Sequence, residues 1–139
     1  MNLPDINWKY LLIAIVLVVI IVLALMFLPQ FISAKTINAY FSPTNKLAPG
    51  QSTNLIIEAT NTIGKDVTSL GVDVKAVNQG ITVGSFQKPS GLMGSGEMRK
   101  MIVPISLNST LLEGTYAVEI DVTLDGNPFS SRVTLEVKK

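Results

Sequence analysis

The sequence predicts an all-β domain of seven strands, folded as a two-sheet sandwich and preceded by a single transmembrane α-helix. Three observations carry this reading. Residues 10–28 form one uncharged apolar run, and no later stretch of the chain matches its length. From residue 36 onward apolar and polar residues alternate with a period of two, the signature of strands with one buried and one wet face. Gly, Pro, Asn and Asp interrupt that alternation roughly every 8 to 12 residues, the spacing of a compact β-sandwich.

Residues 1–9 are a short N-terminal segment. The run from Tyr10 to Leu28 consists mainly of Leu, Ile and Val and, with its flanks, meets the about 20 residues that a bilayer core about 30 Å thick requires. Trp8, Tyr10 and Phe31 stand where amphipathic rings favour the headgroup layer, and Pro29 is expected to end the helix. A retained signal-anchor is the preferred reading. A secreted protein with a cleaved signal peptide competes with it, Ile32-Ser33-Ala34 before Lys35 being the candidate processing site. The run is longer than the roughly 7 to 15 residues of a signal core, and Lys9 against Asp5 gives the N-terminal flank only a weak positive bias. Lys9 on one side and Lys35 and Lys46 on the other leave the orientation count nearly balanced. Residues 29–35 form a linker too short for a long stalk, which keeps the domain 36–139 close to the helix.

Within that domain Thr36 to Phe41 opens as the first strand, and Ser42-Pro43-Thr44-Asn45 and Ala48-Pro49-Gly50 are turns. Ser52 to Thr60 follows, with Leu55, Ile57 and Ala59 on one face. Val67 to Val77 places Leu70, Val72, Val74 and Ala76 opposite Ser69, Gly71, Asp73 and Lys75. Gly80 to Phe86 is a shorter strand, and 88–96 is a Gly-rich loop. Glu97 to Leu107 turns Met101, Val103, Ile105 and Leu107 inward, with Pro104 outward, which suits an edge strand or a bulge. Gly114 to Leu124 aligns Tyr116, Val118, Ile120, Val122 and Leu124 on one face. Asp125-Gly126 is a hairpin turn, after which Phe129 to Val137 returns with Val133, Leu135 and Val137 inward. Seven such strands in about 100 residues define an immunoglobulin-like sandwich. Tyr116 sits where a tyrosine corner would be, with an ordinary core aromatic as the alternative.

The turn and strand pattern also resembles the CARDB and NEW3-like immunoglobulin-type domains of archaeal and bacterial cell surfaces, over roughly Leu47 to Val137. The residues that carry it are Ala48-Pro49-Gly50-Gln51-Ser52, Leu55 through Asn61, Leu70 to Ala76, and Gly114-Thr115-Tyr116-Ala117-Val118. Two departures are Gly64, three residues beyond Asn61, and Gly94-Ser95-Gly96-Glu97 in place of a second Pro-Gly turn. The resemblance implies an envelope-facing module used in adhesion, spacing or assembly, without an active site of its own.

Eleven basic and ten acidic residues without runs give a net charge of +1, which lacks the electrostatic footprint of nucleic-acid binding. The chain contains no cysteine and no histidine, so thiol nucleophiles, thiolate sites and the commonest acid–base residue are all missing. Asp121, Asp125 and Asn127 could supply oxygen to a hard cation, but they flank a hairpin, whereas calcium takes six to eight oxygens from a dedicated loop. Glu119 and Asp121 share a solvent face without a cleft between them, which suits solubility better than glycoside hydrolysis. Residues 90–96 are Gly-rich but lack the Gly-Lys-Ser/Thr ending of a phosphate loop. No catalytic, metal or cofactor site is therefore expected.

Two candidates remain. Leu92 and Met93 are apolar in a polar loop and either tuck over the end of the sandwich or form a contact loop for a partner or membrane. Asn108-Ser109-Thr110 matches the N-glycosylation acceptor pattern, with Asn108 as the modified residue. Together these readings predict a non-enzymatic, single-pass, membrane-anchored module. Its immunoglobulin-like domain faces outside the cytoplasm and serves binding, adhesion or structure in the cell envelope. The partners expected are the lipid bilayer through residues 10–28 and either another envelope or membrane protein or a second copy. An accessory subunit of a larger membrane complex is the main alternative, and a hydrolase or metalloenzyme is disfavoured.

Overall fold

In the computed structural model the described residues are 8–31 and 35–139, the side chains of 10, 11 and 24–31 excepted. The expectations for residues 1–7 and for the processing site Ile32-Ser33-Ala34 lie outside them, as do those for the rings of Tyr10 and Phe31. The chain divides into two compact units, the second being Lys35–Lys139.

The first unit carries helix α1, Trp8–Phe31. Its apolar residues run around the whole circumference, so it has no amphipathic face to bury. The helix continues two residues past Pro29, which costs a hydrogen bond without ending it there. The transmembrane expectation is corrected: among the described residues no helix is long and apolar enough to cross a membrane.

The second unit is the expected sandwich, built from eight strands instead of seven. They are β1 Ile37–Ser42, β2 Lys46–Leu47, β3 Ser52–Thr60, β4 Leu70–Ala76, β5 Ile81–Val83, β6 Met98–Leu107, β7 Gly114–Leu124 and β8 Asn127–Val137. One sheet runs β1-β3-β6-β5 and the other β2-β8-β7-β4. The additional strand is β2, two residues that pair parallel with Glu136 and Val137 at the end of β8. A two-residue strand between two turns shows no alternation, so periodicity cannot reveal it.

Alternation works where it is long. Leu55, Ile57 and Ala59 of β3, Met101, Val103, Ile105 and Leu107 of β6, and Val118, Ile120, Val122 and Leu124 of β7 are all buried between the sheets. Val72 and Val74 of β4 and Leu135 and Val137 of β8 close the same core. At the β7–β8 hairpin both Asp125 (φ 45°) and Gly126 (φ 83°) take left-handed backbone angles, as a two-residue turn matched to strand twist requires. The Tyr116 hydroxyl donates to the Leu112 carbonyl at 2.8 Å, which makes the tyrosine corner and not merely a core aromatic.

The edge placement of Pro104 is also corrected, because β6 lies inside its sheet between β3 and β5. The N–H of Leu107 reaches Gln51 on the β3 side, and that of Asn108 reaches Gly80 on the β5 side. Since N–H and C=O of one residue point the same way and neighbours point oppositely, the even-numbered residues of β6 face β5. Pro104 is one of them. It lacks an N–H, so it can accept from Gly84 at 2.7 Å but cannot return the bond, and the ladder stops. That is why the expected strand over 80–86 shrinks to Ile81–Val83.

Candidate binding site at the edge of β6

Where β5 ends, the remaining half of β6 is left with one bare edge. Pairing with β3 covers Met98 through Ser106 on one side, but pairing with β5 covers only Ile105 to Leu107 on the other. The backbone groups of Lys100 and Ile102 therefore face away from β3 into a groove of about 550 Å³. Gln87, Lys88 and Pro89 form its opposite wall.

The wall is held in place by Arg99. Its guanidinium donates to the carbonyl of Ser90 at 2.6 Å and to that of Leu92, while Nε donates to Glu97 at 2.9 Å. The N–H of Gly94, and then Arg99, hold the Glu97 carboxyl below its usual range. Asn61 anchors the far end of the loop. It is almost fully buried, its Nδ2 donates to the carbonyls of Lys65, Met93 and Gly94 at 2.8 to 3.0 Å, and its Oδ1 accepts from Ile63. In the sequence Asn61 stands only as the polar residue between the strand 52–60 and the turn that follows it. The signal available was a polar residue at a core-facing position directly after a strand.

The two residues of the expected contact loop separate. Met93 is fully buried in the core and bridges to Val67, whereas Leu92 is 59% exposed. The contact-loop reading therefore fails for Met93, whose side chain tucks under the sandwich end, and remains open only for Leu92. Asn108 is exposed, and its Oδ1 accepts from both the N–H and the hydroxyl of Thr110 at 3.1 Å. That contact closes the acceptor tripeptide into a tight turn.

The carboxylates weighed for chemistry are engaged elsewhere. Glu119 pairs with Arg132, and Asp121 accepts from the Ser130 hydroxyl at 2.6 Å and lies 3.7 Å from Lys75. Asp125 Oδ1 accepts from Ser69 N–H, Thr68 N–H and Thr68 Oγ1 at 2.8 to 3.1 Å. This cluster ties the β7–β8 turn to the approach to β4.

On the outer face of the first sheet, Tyr40, Ile56 and Ile102 stand in register across β1, β3 and β6. Ile56 is 7% exposed between its two neighbours, while Ile102 is 55% exposed at the groove. The apolar row is thus covered in its middle and open at the bare edge.

No family model matches the chain, and no curated protein does. Solved structures do share its fold. The FixG-related protein from Vibrio parahaemolyticus aligns with 76% of this chain and 98% of its own, at 11% identity and a TM-score of 0.51. The α-2-macroglobulin of E. coli aligns with 76% of this chain at 15% identity and a TM-score of 0.58, the match taking up only 7% of that much longer protein. At these identities the likeness shows the fold alone, an immunoglobulin-like β-sandwich.

Proposed function

We propose that the chain is a non-catalytic immunoglobulin-like module that works by holding or contacting another protein outside the cytoplasm. The observation that carries this reading is the half-paired edge of β6. A central strand leaves backbone donors and acceptors open beside a loop that Arg99 and Asn61 fix in shape. An exposed strand edge with a preformed wall is suited to adding a strand from a partner. The lack of histidine and cysteine in the sequence and the engagement of Glu119, Asp121 and Asp125 with neighbouring groups favour contact over turnover. The resemblance to CARDB and NEW3-like domains supports a place at the cell surface. A membrane-spanning role for α1 forms no part of this reading.

Photo-crosslinking in intact cells, with the reactive group placed in turn at Leu92 and Ile102, tests it. Discrete adducts to the same neighbouring protein are expected from both positions. Stoichiometric recovery of that neighbour in one stable complex would make the module an accessory subunit. Failure to capture any neighbour from either position would overturn the reading.

A further inference from the structure

Building on that reading, we propose that the bare edge of β6 takes an extended acidic segment of a partner protein. The segment adds antiparallel to β6, in line with β5, and sets an apolar side chain beside Ile102 and a carboxylate beside Lys100. Three features of the groove specify this occupant.

The first is the backbone. Lys100 and Ile102 point their N–H and C=O groups into the groove, and Gly84 occupies the Pro104 carbonyl at its inner end. An added strand therefore begins where β5 leaves off and gains one pair of bonds at each open residue. Parts of two other edges are already taken. On β4 the outward N–H of Val74 is already taken by the Asp73 carboxylate at 3.1 Å. On β8 the end is paired with β2, and Pro128 at the start has no N–H to offer.

The second is charge. Lys88 and Lys100 both line the groove, and neither comes within salt-bridge distance of a carboxylate among the described residues, although the charge of Lys88 reaches Asp73. Glu58 stands opposite Lys100 in the sheet, but its carboxylate accepts from Asn38 at 2.8 Å and Tyr40 at 3.3 Å. Lys88 lies 6.0 Å from the centre of the Phe86 ring. Two ammonium groups lining one groove, Lys100 on the strand and Lys88 on the facing wall, select carboxylates and reject basic segments.

The third is the apolar row. A strand laid beside β6 extends Tyr40, Ile56 and Ile102 by one position, so the side chain opposite Ile102 should be branched and apolar. Antiparallel geometry then puts the residue two positions further along the partner opposite Lys100 on the same face. The motif is an apolar residue, any residue, then Asp or Glu.

The test uses the isotopically labelled full chain in non-ionic detergent, titrated with the peptide acetyl-Thr-Val-Thr-Glu-Thr-Val-Glu-amide. Amide shifts confined to 87–90 and 98–102 are expected, with at least tenfold weaker binding for the exposed double variant Lys88→Glu, Lys100→Glu. The peptide with Gln in place of Glu should also bind at least fivefold more weakly. An unchanged melting temperature of the variant excludes unfolding as the cause. Shifts centred on β1 or β8, equal binding of both peptides, or no binding would overturn the assignment while leaving the crosslinking test of the binding reading intact. Concentration-dependent self-association that the double variant abolishes would make the occupant a second copy and overturn it too.

Discussion

The amide of Gly84 donates to the carbonyl of Pro104 at 2.7 Å, and this is the last rung between β5 and β6. The two residues also touch tightly: a Cβ on Gly84 would lie 3.0 Å from Pro104 Cβ and 3.2 Å from its carbonyl oxygen. Gly84→Val should therefore cost about 1–3 kcal/mol by overpacking, read as a lower denaturant midpoint with an unchanged slope. A neutral result would mean that the chain at Gly84 moves freely away from β6.

Tyr116→Phe keeps the ring and removes the hydroxyl that reaches Leu112. A loss of about 0.5–1.5 kcal/mol is expected, measured by chemical denaturation. No loss would show the corner bond to be no better than a bond to water.

Met93 and Leu92 are neighbours with opposite surroundings. Met93→Ala empties a fully buried site and should cost about 2–5 kcal/mol. Leu92→Ala should stay within about 0.5 kcal/mol while weakening any crosslink made through the loop. Equal destabilisation by both would contradict the separation of their roles.

Asp125 sets an acid limit on the fold. The N–H of Ser69, followed by the N–H and hydroxyl of Thr68, holds its carboxyl below 3.8. A carboxyl depressed in the folded state contributes stability above its unfolded value near 4, and that contribution disappears as pH falls through the folded value. Asn tolerates the left-handed backbone at this position. Asp125→Asn should therefore lose less stability than the parent as pH falls below about 4, as followed by melting temperature. Parallel pH profiles would remove Asp125 from the acid response.

Much of this architecture is legible in the sequence where a long strand has one buried face, as in β6 and β7. The hairpin is legible because Asp125-Gly126 suits positive φ, and the tyrosine corner because Tyr116 opens its strand. The rest depends on contacts distant in sequence. Asn61 meets Met93 and Gly94 only after the chain has folded, and Met93 looks like a loop residue until Val67 lies beside it. Pro104 misleads because a missing N–H argues for an edge, whereas here it points to where a neighbouring strand has already ended. The apolar run 10–28 reads as a membrane span, whereas among the described residues no helix is long and apolar enough to cross a membrane. The groove of the candidate site belongs to no motif, being the space left when β5 stops.

The central claim is that β6 is paired on one side only from Met98 to Ile102. Amide hydrogen exchange tests it residue by residue. Arg99, Met101 and Val103 should exchange slowly because their N–H groups face β3, Ser106 slowly because it faces β5, and Lys100 and Ile102 fast because they face the groove. Uniform slow exchange from 98 to 106 would mean that the edge is already covered, and the account of the site would fall.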